Sequence, residues 1–579
     1  MNPTLALCTG LMAAIVTLEG CGGSDDAPAP PPPAPPPAPA AKVLTETDCS
    51  ALATAPSVSN APVIASAAWV EAGTQKASQS AADFLPAHCV LKGTVNPRTG
   101  SDGVAYGVQF ELRLPAQWNA RFFFQGGSGT DGSLSAAYGT INSADGGNNV
   151  ALTQGYAVVS TDGGHQNSLL TTTAAFGADN QARIDYGYNA IDKTATTAKS
   201  LIGIAYGRAP DRSYFVGCSN GGRQGMQFSQ LFPDYFDGIV AGDPVMDLGS
   251  ITAAEVYGLQ QIAAISPKDA SGNPLYYQAY SATDRQLYTK AYLQACDAND
   301  GVVDGMVQDA GACHFDPSVL QCAGAKNDTC LSAGQVSALK AIVGGPMLAS
   351  GEKASVPGYL TTRETPVEGY PLDYGWMSPA GQPTRLFGTA TSPPGDIALG
   401  GTQIPYLHMS PPDPSFDPLA IQWDTYVDRM TVNAPWLSTR LDLSAYKARG
   451  GKMIFYHGAS DPGPTVANTT RYYQRLAALN GGYAETQKFA RYFQIPGMGH
   501  CSGGPATDSF DQLAAIVAWV EKGTAPDTLT ASARSNNTAL TTVTPAIPAG
   551  RTRPLCPYPT HAAYKGSGSV DDAANFSCK

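Results

Sequence analysis

The sequence has no block of lysine and arginine: its 35 basic residues are scattered over 579 positions and outnumbered by 47 acidic ones. Nucleic acid needs clustered cations against its phosphates, so a formal net charge of −12 excludes that class of partner. Long apolar runs are missing as well. The stretch from Leu5 to Leu18 is shorter than the roughly 20 residues that span a bilayer. No C-x-x-C pair occurs and the cysteine spacings match no zinc module, which removes a structural zinc site. No internal repeat is evident.

The start of the chain is a leader. Leu5 to Leu18 fits the apolar core of a signal peptide, assigned to residues 1–20. Leu18-Glu19-Gly20-Cys21 resembles a bacterial lipoprotein cleavage box, with Cys21 as the residue to be lipidated. Glu19 and the lack of any Lys or Arg before Lys42 depart from that pattern, so plain secretion stands as the alternative. Residues 21–42 form a linker that is mostly Ala and Pro, with nine prolines between Asp26 and Lys42. Such a run adopts extended polyproline II and serves as a semi-rigid spacer. Without Cys8 and Cys21, ten of the twelve cysteines remain, an even number that suggests five disulfides in an exported chain. The expected location is secreted, or an outer-membrane or periplasmic lipoprotein of a bacterium.

From Asp102 onward, strand-like and helix-like runs alternate, as in a parallel sheet with crossover helices. Strands are expected at Val104–Leu114, Arg121–Gln125, Gly155–Ser160, Arg212–Gly217 and Phe236–Ala241, with a helix over Tyr188–Tyr206. After Val245 the chain turns rich in Gly, Pro, Asp and Tyr and loses strand periodicity, which reads as an inserted lid over residues 246–435. Strands resume at Gly451–Tyr456 and Ala490–Ile495, followed by a helix over Phe510–Lys522. The expected fold class is α/β, an α/β-hydrolase fold with its core in residues 43–245 and 436–579.

Gly217-Cys218-Ser219-Asn220-Gly221 is a G-x-S-x-G motif between a buried strand and a helix, the setting of a nucleophile elbow. An activated serine needs a base, and the base needs a carboxylate that fixes its tautomer. In this fold the order is Ser, acid, His, which Asp461 and His500 satisfy, each just past a strand. His457 precedes the acid and fits a structural role, and His561 has no strand before it. For the oxyanion, the backbone N–H of Asn220 is one donor; Gly129 is the second, with Gly127 as competitor. No Gly-Lys-Ser/Thr follows this glycine loop, so it is not a phosphate cradle. Cys218 and Cys501 flank nucleophile and base, and a bond between them would tie the two loops together. Asp297, Asp300 and Asp304, with intervening carbonyls, suit a hard cation such as Ca²⁺; a solvated acidic turn is the alternative.

Gly217-Cys-Ser-Asn-Gly-Gly222, Gly499-His-Cys-Ser-Gly-Gly504 and the closing Arg553-Pro-Leu-Cys-Pro-Tyr558 and Tyr564-Lys-Gly-Ser-Gly568 resemble the tannase and feruloyl esterase family, from about Cys49 to the end. The resemblance implies a lidded α/β-hydrolase and the pairs Cys49–Cys89, Cys218–Cys501, Cys296–Cys313, Cys322–Cys330 and Cys556–Cys578. It also implies a structural Ca²⁺ in the lid on Asp297, Asp300, Asp304 and the carbonyls of Val302 and Met306. The implied activity is a serine carboxylesterase acting as a monomer on small aromatic esters such as hydroxycinnamates, gallates or mono-terephthalates. A binding module without turnover and a serine peptidase are the alternatives. A family member that cleaves a mono-terephthalate ester grips its free carboxylate with a lid arginine. Between Arg385 and Arg429 this sequence has neither Lys nor Arg.

Overall fold

The computed structural model describes residues 41–55, 57–141, 149–356, 365–378, 384–409, 411–429 and 439–579. The signal peptide, Cys21 and the linker up to residue 40 lie outside the described residues. A nine-stranded sheet organises the fold: β1 (Val63–Val70), β2 (His88–Thr99), β3 (Ala105–Pro115), β4 (Arg121–Gln125), β5 (Ala157–Thr161), β6 (Arg212–Cys218), β7 (Gly238–Gly242), β8 (Lys452–Gly458) and β9 (Ala490–Ile495). Their spatial order is β1-β2-β3-β5-β4-β6-β7-β8-β9.

From β5 to β9 all neighbours pair parallel, as the crossover pattern requires. β3 departs from the parallel sheet expected from Asp102 onward, and β1 and β2 precede the stretch that expectation covered. β1, β2 and β3 pair antiparallel, and β3 meets β5 antiparallel. Only the few residues of a turn containing Gly103 (φ +80°) join β2 to β3, and so short a connection cannot return a strand in parallel.

The parallel strands are buried on both faces, and their side chains alternate between two cores. Phe122, Phe124, Phe215, Ile239, Ala241, Met453 and Phe455 enter one core. Phe123, Tyr214, Val216, Val240, Ile454 and Tyr456 enter the other. This period of two, without a polar face, is why these strands read as continuous apolar runs. Helix α1 (Ala190–Tyr206) covers the first core, and α2 (Asn220–Leu231) leads directly from β6.

The chain between β7 and β8 forms the insertion, with α3 (Leu248–Ile265), α4 (Ala282–Cys296) and α5 (Ala333–Gly344) around their own core. Ser281 and Ser332 begin α4 and α5 with reciprocal capping boxes to Asp284 and Gln335. Between β8 and β9, α6 (Val466–Leu479) follows the acid loop, and after β9 the helix α7 (Gln512–Lys522) closes the second core. Ala533, Leu540, Val543 and Ile547 of the C-terminal segment pack into the same apolar core as the insertion. All five disulfides that the family resemblance implied are present.

Candidate active site

Ser219 sits between β6 and α2 at φ 63°, ψ −124°, a conformation that costs a non-glycine residue and aims its side chain off the sheet. Glycines permit it. A Cβ on Gly217 would stand 2.7 Å from the backbone of Gly221, and one on Gly221 would stand 2.7 Å from the Gly127 carbonyl oxygen. Gly126 approaches both: its Cβ would lie 2.7 Å from the Gly217 Cα. The motif glycines are therefore required by backbone contact between strand, helix and glycine loop.

Asp461 follows β8 and is fully buried; His500 follows β9. His500 Nδ1 donates to Asp461 Oδ2 at 2.6 Å, and the Gly463 N–H donates to Oδ1 at 2.7 Å. Burial alone would raise the Asp461 carboxyl, but His500 and His457 outweigh it and hold it well below the usual carboxylate range. His457 lies 3.5 Å from Asp461 Oδ2, with Nδ1 on Thr469 Oγ1 and Nε2 on the Pro464 carbonyl, both at 2.9 Å. It braces the acid. His561 lies elsewhere, 3.7 Å from Asp309.

The disulfide Cys218–Cys501 joins the residues next to Ser219 and His500. Cys501, like Ser219, is left-handed, with φ 64°. A Cβ on Gly458 would meet the Met498 carbonyl at 2.4 Å, so acid loop and histidine loop lie in contact.

Ser219, His500 and Cys501 line one cavity of about 380 Å³ together with the glycine loop, Thr140, Ile141, Arg385, Leu399 and Gln512. A larger hollow of about 830 Å³ lies on the far side of the acid loop, against Tyr288, Phe315 and Arg471, and contains neither Ser219 nor His500. The candidate serine and histidine therefore belong to the smaller one.

The two candidates for the second oxyanion donor differ. The N–H of Gly127 is taken by Gln224 Oε1 at 2.9 Å. Gly129, at φ +54°, lines the cavity beside Ser219 with open space on its Cβ side. Asn220 is held by its side chain, which donates to Asp131 and accepts from Arg223 Nε at 2.8 Å. Burial pushes Asp131 up to about 7 against the pull of Arg223, Asn220 and Gln224.

Three features escaped the sequence reading. Asp373 of the lid accepts the Gly497 N–H at 3.0 Å and the hydroxyl of Ser460, and so straps the lid to both catalytic-loop candidates. Second, the lid does present an arginine to the cavity. Arg385, at the edge of the cation-free stretch, donates to Glu255 Oε1 at 2.8 Å and Asp396 Oδ1 at 2.9 Å. Burial raises both acids, Glu255 to about 8 and Asp396 to about 6, so at neutral pH Asp396 is the carboxylate that matches the guanidinium while Glu255 stays protonated beside it. Third, a slot lined by Val245, Leu248, Ile251, Leu399, Glu255 and Gln403 opens on the other side of Ser219. Only the fold brings these residues together, and no motif marks them.

Asp297, Asp300 and Asp304 are all buried. Asp297 accepts the Gly305 N–H at 2.9 Å, and Asp300 accepts that of Gln308 at 3.1 Å. Burial, with mutual repulsion, raises Asp300 to about 7. Asp304 also pairs with Arg553, and its carbonyl accepts from Arg551 Nη1 at 2.6 Å. Three buried carboxylates that repel one another form a donor set chemically suited to a hard cation. Their side-chain oxygens do not all converge within 4.8 Å of one another.

Comparison with known proteins matches residues 92–579 to the family described as tannase and feruloyl esterase. The chain is 42% identical over 551 residues to mono(2-hydroxyethyl) terephthalate hydrolase of Piscinibacter sakaiensis, covering 90% of this chain and 88% of that protein. It is 31% identical over 447 residues to a probable feruloyl esterase B-2 of Aspergillus flavus, covering 73% and 76%. In fold it is similar to the crystal structure of feruloyl esterase B from Aspergillus oryzae, with TM-score 0.70 at 23% identity over 92% of this chain and 100% of that one.

Proposed function

This chain belongs to the tannase and feruloyl esterase family and is a carboxylic ester hydrolase, and on that premise we propose that it cleaves esters of aromatic acids through Ser219, His500 and Asp461. The observation that carries the mechanism is the 2.6 Å bond from His500 Nδ1 to Asp461, beside a serine on a strained elbow in the same cavity. Ser219 Oγ attacks the ester carbonyl carbon while His500 Nε2 takes its proton. The negative oxygen of the tetrahedral intermediate rests against the N–H groups of Asn220 and Gly129, each worth roughly 10²–10³ in rate. Collapse expels the alcohol, protonated by His500, and leaves an acyl-enzyme. Water activated by His500 then releases the acid and restores Ser219.

An aromatic acyl group is supported by the two named relatives. Because Arg385 is already matched by Asp396, with Glu255 as a second acceptor, the slot offers no surplus positive charge to a free carboxylate. Uncharged acyl groups, such as hydroxycinnamates and gallates, are therefore favoured over mono-terephthalate. Kinetics on methyl ferulate, methyl gallate and mono(2-hydroxyethyl) terephthalate test this order, and a higher kcat/KM for the terephthalate ester overturns it. Labelling of Ser219 by a fluorophosphonate separates turnover from mere binding, and an ester compared with its matching amide separates esterase from peptidase.

A Ca²⁺ would be held by Asp297, Asp300, Asp304 and the carbonyls of Val302 and Met306. It would supply the charge that the buried loop lacks. Five disulfides support export to an oxidising compartment. Among the described residues no helix is long and apolar enough to cross a membrane.

A further inference from the structure

One buried ionisable group beside the triad has no part in the mechanism above. Asp243 follows β7 in a left-handed conformation, φ 36°, unusual for a residue with a side chain, and is wholly buried. Its N–H donates to the Tyr456 carbonyl at 2.8 Å, and its Oδ1 accepts the Gly458 N–H at 2.8 Å. Oδ1 also stands 3.7 Å from His457 Nε2, and Oδ2 lies 3.3 Å from Cys218 Sγ, half of the disulfide between the serine and histidine loops. A carboxylate oxygen of Asp243 comes within 4.8 Å of one of Asp461.

The topology explains the meeting. β6, β7, β8 and β9 are successive parallel neighbours, so their C-terminal ends deliver Ser219, Asp243, Asp461 and His500 to one rim. Two carboxyls this close in a dry site do not both ionise, and they titrate as a pair. Burial pushes Asp243 up to about 7, with Asp461 adding to the rise and His457 and His500 opposing it. Asp461 is held low. The remaining titratable groups near Asp243 are the buried phenols of Tyr456 and Tyr492, which stay neutral because burial raises both.

We propose that Asp243 is a positioning residue for the hydrolysis: it carries the proton of a two-carboxylate pair, leaves Asp461 ionised for His500, and supplies the negative charge itself when Asp461 is removed. In that case its proton leaves to solvent and the carboxylate faces His500 from the neighbouring strand end. The inference rests on the triad reading.

The experiment compares Asp461→Ala with Asp461→Ala/Asp243→Asn on p-nitrophenyl acetate from pH 6 to 9, with thermal unfolding to show that both chains fold. The single variant should retain a kcat at least tenfold above the double variant, and the gap should widen as rising pH ionises Asp243, at a lower pH than in the unmutated chain because Asp461 no longer raises it. Equal residual rates across that range overturn the proposal, because a merely structural Asp243 would change melting temperature and not this ratio. Asp243→Ser replaces Asp243→Asn if the latter chain does not fold. Ser219→Ala in the same assay keeps the two readings apart. Full activity there overturns the triad itself, whereas a dead Ser219→Ala with equal single and double variants overturns only the role of Asp243.

Discussion

At the rim of the sheet, Asp461 is buried with two histidines and a backbone N–H to meet its charge, and it stays ionised. In the lid, Glu255 and Asp396 share the single Arg385, and Asp297, Asp300 and Asp304 crowd one loop, so burial drives these carboxyls up. The rim is organised for a fixed charge before substrate arrives. Among the described residues these lid carboxyls outnumber the guanidinium groups that meet them, and protons held by the raised carboxyls make up part of the difference.

That contrast can be broken from the rim first. Ser219→Ala or His500→Ala should lower kcat by about 10⁴–10⁶, since members of a triad act as a unit, with melting temperature nearly unchanged. Steady-state kinetics on methyl ferulate and a thermal scan check both halves. Replacing Cys218 and Cys501 together by Ser opens a loop of 283 residues between elbow and histidine. The loss should reach up to about 5 kcal/mol in the chain-entropy model, read by denaturant unfolding.

Asp373→Ala tests the strap between the two regions. It leaves the buried Gly497 N–H and the Ser460 hydroxyl without their acceptor, which should cost about 2–4 kcal/mol and lower kcat as both loops loosen. The proposed calcium is tested on the lid alone. With a cation at 100 times its Kd the folded chain gains about 2.7 kcal/mol, so EDTA should lower the melting temperature by several degrees. No shift on EDTA, together with no metal by elemental analysis, removes the cation.

The smallest effect concerns pH. Glu255 ionises near 8 in the folded chain, above the range of about 4.3 expected unfolded. Its contribution to stability is complete below the unfolded value and is lost as pH rises through about 8. Asp461, held low, behaves in the opposite sense and loses its contribution only in strong acid. Melting temperature should therefore decline from pH 6 to 9, and Glu255→Gln should flatten that decline by a degree or two. An unchanged slope would place the lid's buried charge elsewhere.

The legibility of the two regions differs for the same reason that their electrostatics do. Phe122 to Phe124, Tyr214 to Val216 and Met453 to Tyr456 are buried on both faces, so each reads as an apolar run whatever surrounds it. Gly217, Ser219 and Gly221 were legible because a strained elbow in contact with its neighbours tolerates few residues. β1 escaped notice because an edge strand of Val-Ile-Ala-Ser-Ala-Ala-Trp-Val, partly exposed along its length, lacks clean alternation. Asp373 and Glu255 stand in stretches without any motif, and their partners Ser460, Gly497 and Arg385 are 87 to 130 residues away. The spacing of Asp297, Asp300 and Asp304 advertised an acidic loop and said nothing of Arg551 and Arg553, which reach it from the C-terminal segment.

The sequence by itself determined the alternation of strands and helices, the serine elbow, and the order of acid and base along the chain. These are local matters of periodicity, backbone sterics and the few residue types that can do proton transfer. The tertiary structure alone decided that the Gly127 N–H is taken by Gln224, that the lid's arginine is already matched, that residues 533–547 pack into the lid's core, and that Asp243 meets Asp461. Each depends on a distance between segments far apart in the chain. Such distances follow from packing and strand order, which no short stretch of sequence encodes.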